Sequence, residues 1–215
     1  MKRFILTSAS CFCILLISSA QLPGRDNTSY SQPIQIDSSD NYIIASLIDK
    51  TNKTKYNYTG TYRMGGNWTN IFIYNSATTE SKKIFSASPV LIFPLSPIVG
   101  NPMYVQQEIR FSYSIRDYML LLVKTDNYNQ NGIIEEDDPI SLYIVSKTGA
   151  NLTQISPKDM NVISYTLSRD GKTILTKLQK DNNNDKKFLD EDETLYQINL
   201  DKDYSKIKAF PVKLQ

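Results

Sequence analysis

Met119-Leu120-Leu121-Leu122-Val123 and Leu142-Tyr143-Ile144-Val145 flank a polar stretch, Asn127-Tyr128-Asn129-Gln130-Asn131-Gly132-Ile133-Ile134-Glu135-Glu136-Asp137-Asp138. Apolar runs this short, bounded by turn-forming residues, read as strands. The same order returns further along. Thr173-Ile174-Leu175-Thr176-Lys177-Leu178 leads into Asp181-Asn182-Asn183-Asn184-Asp185-Lys186-Lys187-Phe188-Leu189-Asp190-Glu191-Asp192, and Leu195-Tyr196-Gln197-Ile198-Asn199-Leu200 follows. A strand, a long polar loop and a second strand therefore occur twice.

Other residues keep the same spacing. Ser112-Tyr113 recurs as Ser164-Tyr165, Arg116-Asp117 as Arg169-Asp170, and Tyr143 as Tyr196, a period of about 52–54 residues. Further strand-like runs are Tyr42–Ile48, Trp68–Tyr74, Val90–Phe93, Val162–Leu167 and Ile207–Val212. No stretch carries the 3.6-residue stripe of an amphipathic helix. The expected fold class is all-β, built from antiparallel four-stranded units over about residues 41–85, 108–157 and 160–214, two clear and one divergent. These units fall within a single β domain, 41–215, after a flexible stretch, 21–40.

Two turns carry a family resemblance. Ser168-Arg169-Asp170-Gly171-Lys172-Thr173-Ile174 resembles the Ser-Pro-Asp-Gly-Lys-x-Ile turn of WD40-like and TolB-type β-propeller blades. Thr148-Gly149-Ala150-Asn151-Leu152-Thr153-Gln154-Ile155-Ser156 resembles the segment that closes such a blade. The likeness covers about residues 108–212; the first clear unit has Arg116-Asp117-Tyr118 where the Asp-Gly turn belongs. It implies blade-like sheets in an open or incomplete ring, because propellers close with about four to eight blades.

Residues 1–20 have the form of an export signal. Lys2 and Arg3 precede the apolar run Phe4–Ile17, and Ser18-Ser19-Ala20 offers small residues for cleavage. The expected location is periplasmic or secreted. Both cysteines, Cys11 and Cys13, lie in this segment, and the chain has no histidine. The mature chain thus lacks the parts of a histidine-based triad, a cysteine nucleophile or a His–Cys zinc site. Its formal charge of +2 falls to about zero without Lys2 and Arg3, so no basic face for nucleic acid is expected. No transmembrane segment is expected after the signal.

The two polar loops share the spacing of a twelve-residue calcium loop. Such loops place oxygen ligands at positions 1, 3, 5 and 12, a backbone carbonyl at 7 and an apolar anchor at 8. The second loop offers Asp181, Asn183, Asp185 and Asp192, the carbonyl of Lys187, and Asp190 as an auxiliary acid. The first offers Asn127, Asn129, Asn131 and Asp138, the carbonyl of Ile133, and Glu135 at position 9. Ile134 and Phe188 are the anchors. Lys186 replaces the glycine that normally makes the sharp turn, whereas the first loop keeps Gly132. Calcium, as a structural ion, is the expected cofactor, and hairpin turns rich in Asn and Asp without an ion are the competing reading.

No catalytic residue stands out. Glu135/Glu136 and Asp190/Glu191 could be the carboxylates of a carbohydrate hydrolase, but neighbours on a strand point to opposite faces. Tyr56, Tyr58, Tyr62 and Trp68 could form an aromatic surface. The sequence therefore suggests a binding or scaffolding protein of the cell envelope with a protein or glycan partner. A second copy of the chain, or a partner whose propeller it completes, is a further expectation.

Overall fold

The computed structural model describes residues 29–36, 39–47, 56–57, 68–86, 90–93, 117–135, 137–188 and 191–214. Fifteen strands are present among them. They are β1 (Ser29–Tyr30), β2 (Ile34–Gln35), β3 (Asn41–Leu47), β4 (Tyr56–Asn57), β5 (Trp68–Asn75), β6 (Glu80–Lys83), β7 (Leu91–Phe93) and β8 (Tyr118–Lys124), followed by β9 (Ile134–Glu135), β10 (Ser141–Ser146), β11 (Thr153–Gln154), β12 (Met160–Leu167), β13 (Thr173–Lys180), β14 (Glu193–Asn199) and β15 (Lys208–Pro211). The fold is all-β and its sheets are antiparallel, apart from one short parallel pair, β4–β9. A single 3-10 turn, Tyr204–Lys206, is the only helical element among the described residues, and no helix there is long and apolar enough to cross a membrane.

The last four strands form a separate four-stranded meander, β12-β13-β14-β15. Nine others join in a sheet of order β1-β3-β5-β7-β8-β10-β11, with β2 also on β3 and β6 on β5, and β4 and β9 form a two-stranded sheet of their own. This corrects the expectation of a separate four-stranded sheet for each unit. Strand β7 hydrogen-bonds to both β5 and β8 and so splices the first two units edge to edge. Within residues 21–40, β1 and β2 pair with β3.

Two apolar clusters lie on opposite faces of the β8–β10 pair. On one face Met119, Leu121, Val123 and Val145 meet Ile43, Ala45, Ile71 and Ile73 of β3 and β5. On the other, Leu122, Leu142 and Ile144 meet Val162, Ile174, Leu178 and Ile198 of the meander. Strands covered on both sides must be apolar at consecutive positions, which is what Met119–Val123 supplies. Strand β13 has cover on one side only and alternates: Ile174, Thr176 and Leu178 are buried, while Leu175 is exposed.

The turn at Ser168–Lys172 is held by its own side chains. Asp170 Oδ1 accepts from Ser168 Oγ (2.6 Å) and Lys172 N (3.0 Å), and Ser168 Oγ accepts from Thr173 N (3.0 Å). Gly171 takes the left-handed conformation, φ +69°, at little steric cost. Tyr118 Oη donates to the Gly171 carbonyl (2.9 Å), tying β8 to the meander. Burial and these bonds set the β8–β10 and β13–β14 hairpins side by side. The Ser168 hydroxyl, accepted first and foremost, holds the Asp170 carboxyl below its ordinary value.

The two-sided burial makes a direct prediction. Leu142 is 0% exposed and Leu175 is 50% exposed. Leu142→Ala is expected to cost about 2–5 kcal/mol, and Leu175→Ala less than about 0.5 kcal/mol, in urea unfolding. Equal costs would contradict the burial of the β8–β10 pair against the meander.

Candidate metal centre

Both polar loops occupy the same structural place. Loop one joins β8 to β10, whose register pairs Val123 with Ser141, and loop two joins β13 to β14, whose register pairs Gln179 with Glu193. Their position-8 residues, Ile134 and Phe188, are both buried. The sheet dictates where each loop starts and ends, and the short polar side chains dictate how it turns.

Loop two is shaped by a relay of side chain-to-backbone bonds. Asn183 Oδ1 accepts from Asp185 N (2.8 Å) and Asp185 Oδ1 accepts from Lys187 N (2.9 Å). Asp181 Oδ2 accepts from Lys186 N (3.2 Å) and from the Tyr128 hydroxyl (3.2 Å). The chain bends at Asn184 (φ +59°) and at Lys186 (φ +67°). The position where a glycine is usual thus adopts the left-handed conformation with lysine in it, at a cost of about 1–2 kcal/mol.

Asp181 is the unusual residue. It is 5% exposed, and its Oδ1 is buried without a hydrogen-bond partner among the described residues. An unsatisfied buried acceptor costs about 1–3 kcal/mol, and more when charged. Asn183, Asp185 and Lys187 are exposed. The acid that folds back over the loop is not Asp192, which is exposed, but Glu191 at position 11. Its Oε2 accepts from Asn182 Nδ2 (3.0 Å) and its Oε1 from Asn183 N (3.4 Å). Glutamate's extra methylene gives it the reach, which the spacing rule did not capture.

Loop one has the same relay with its interior closed. Asn131 N donates to Asn127 Oδ1 (3.1 Å) and Asn129 Oδ1 (3.0 Å), and Ile133 N donates to Asn131 Oδ1 (2.9 Å). The Asn129 side-chain amide donates to Glu135 Oε1 (2.8 Å), and that of Asn131 donates to the same oxygen. Asp138 is 2% exposed; its Oδ1 accepts from Tyr128 N (2.8 Å) and its Oδ2 from Glu135 N (2.8 Å). Lys124, also buried, donates to the carbonyls of Glu135 (2.9 Å) and Asp138 (2.5 Å). Gly132, φ +88°, makes the turn.

The loops touch through Tyr128, a residue the spacing did not single out. Its ring lies 5.1 Å from that of Phe188, and Lys186 Nζ sits 4.6 Å from the Tyr128 ring centre. Burial raises the Tyr128 hydroxyl above its ordinary value, and the Asp181 charge raises it further. A lone aromatic within an Asn-rich loop was the available signal.

Chemically, loop two offers one bare carboxylate oxygen, a second aspartate, an asparagine oxygen and a peptide carbonyl. These are hard oxygen donors, suited to calcium rather than zinc. Among the described residues, no three acidic, histidine or cysteine side chains gather as a metal cluster. Calcium held there would draw on Asn183 and on backbone carbonyls as well. Asp190 and Glu136 lie outside the described residues, as do Tyr58, Tyr62 and the side chain of Tyr56. Trp68, one of the four residues that could form an aromatic surface, lies 7% exposed within the core; its backbone pairs with Leu47 and Ile92.

No known family's sequence profile matches the chain. No curated protein matches it in sequence.

Asp138 gives this region a pH signature. Burial raises its carboxyl above the ordinary value of 3.8, outweighing the lowering by the Glu135 and Tyr128 amides and by Lys124. The folded state therefore holds the proton more tightly than the unfolded chain. As pH rises from 3.8 through the raised value, the unfolded chain ionises first and the stability contributed by Asp138 falls. Asp138→Asn removes that titration. The unfolding free energy of wild type minus variant should shrink as pH rises across this window; a difference that grows instead would count against it.

Proposed function

We propose that this chain is an exported β-repeat protein that acts by binding or scaffolding in the cell envelope, without catalysis, and that calcium stiffens the loop between β13 and β14. The observation that carries the calcium part is the buried Asp181 Oδ1, which has no hydrogen-bond partner among the described residues and sits at position 1 of a loop folded by the position 3-to-5 and 5-to-7 relay. A divalent cation supplies what that oxygen lacks. The export signal supports a periplasmic or secreted location. The propeller-like part of the reading is supported by the β12–β15 meander and its Ser168–Gly171 turn. The partner would be a protein or a glycan, engaged by exposed loops held on a layered scaffold, as binding surfaces commonly are.

Thermal unfolding of the chain from residue 21 tests the calcium reading. Free calcium at about 100 times its Kd should stabilise the fold by about 2.7 kcal/mol, read as a rise in Tm over the chelator-treated protein. Asp181→Asn should abolish that rise. In chelator the variant should be no less stable than wild type, because it removes an uncompensated buried charge. A wild-type Tm indifferent to millimolar calcium would sink the reading.

A further inference from the structure

We infer that Tyr128 is a positioning residue that couples the two loops, so that calcium bound at Asp181 in loop two orders loop one as well. This rests on the calcium reading above and extends it to a second segment that need not touch the ion.

The coupling is built into one residue. The Tyr128 backbone belongs to loop one, where its N–H donates to Asp138 Oδ1 (2.8 Å). The other oxygen of that carboxylate holds Glu135 N (2.8 Å), so Asp138 clamps both ends of loop one. The Tyr128 side chain belongs to loop two. Its hydroxyl donates to Asp181 Oδ2 (3.2 Å), its ring leans on Phe188, and Lys186 stacks over it. Positions 1, 6 and 8 of loop two therefore meet position 2 of loop one.

Two physical consequences follow. A carboxylate that ligates a metal through one oxygen is oriented by whatever holds the other, and loss of such an outer partner typically weakens metal binding by about 10–100-fold. On Asp181 the bare oxygen is Oδ1, and Oδ2 is held by Tyr128 and by Lys186 N. Coupling is also reciprocal: whatever the Tyr128 hydroxyl adds to calcium affinity, calcium returns as order at Tyr128. That order passes to loop one through the bond from Tyr128 N to Asp138. Meanwhile the ring keeps the Lys186 ammonium on its face.

Tyr128→Phe isolates the hydroxyl, because it preserves the ring contacts and the backbone bond to Asp138. Calcium chloride titration by calorimetry, with amide hydrogen exchange at each calcium level, separates the possibilities on the full mature chain. Wild type should bind calcium and slow exchange both in loop two, at Asp185 and Lys187, and in loop one, at Asn131, Ile133 and Glu135. Tyr128→Phe should bind about 10–100-fold more weakly. At saturating calcium it should protect loop two while loop one keeps its calcium-free exchange rates. Unchanged affinity in Tyr128→Phe, or wild-type-like protection of loop one, overturns the coupling while leaving the calcium site standing. Absence of calcium uptake by the wild-type chain removes the site itself, and the coupling with it.

Discussion

The β8–β10 pair has no solvent side, and the rest of the structure depends on that. Its residues face β3 and β5 on one side and the meander on the other. Each covered face of a strand contributes apolar burial of roughly 1.5–3 kcal/mol per large side chain, so a middle layer supplies two clusters for the entropic cost of ordering one pair of strands. The outer layers can then be short, irregular or half-polar. Strands β1 and β6 are examples: they lie at the margin of the nine-stranded sheet and their residues are exposed. Trp68 and Phe85 complete the first cluster, and Phe85 meets Tyr143 edge-on at 5.6 Å.

The stacking also explains why the polar loops sit next to each other. Hairpins β8–β10 and β13–β14 lie in adjacent layers and turn at the same end. A tyrosine leaving one loop therefore reaches the first carboxylate of the other. Similar sequence gives a similar backbone relay in both loops, and dissimilar chemistry inside them follows from a few substitutions. With asparagine at positions 1, 3 and 5, loop one has amide donors to direct at Glu135. With aspartate at positions 1 and 5, loop two has no amide donor at those two positions, and the Asp181 Oδ1 is bare among the described residues.

Much of the fold was legible because strand periodicity is a local property. The runs at 42–48, 68–74, 119–123, 142–145, 162–167 and 173–178 each coincide with a strand. The all-β class and the antiparallel pairing followed from their brevity and spacing. What could not be read locally was partnership. Ser29–Tyr30 and Ile34–Gln35 are extended because β3 has an edge to offer, not because of their own composition. The splice through β7 depends on bonds to two distant strands. At the loops, spacing located the turns and the apolar anchors, but not reach: Glu191 rather than Asp192 folds back, and Tyr128 contributes across 53 positions of sequence. The WD40-like and TolB-type resemblance remains a matter of the Ser168–Gly171 and Thr148–Ser156 turns.

Lys124 has a consequence for how the two loops respond to their surroundings. Its ammonium, buried and bonded to the carbonyls of Glu135 and Asp138, is a cation on a tether. A tethered charge cannot be diluted, chelated or exchanged, so these two contacts in loop one need no ion from the medium. The bare Asp181 oxygen of loop two has no hydrogen-bond partner among the described residues, and the proposed calcium would supply one from outside. Under the proposed export, where divalent ions vary with the environment, the Lys124 contacts would persist at every calcium level, while calcium at Asp181 would adjust both loops through Tyr128.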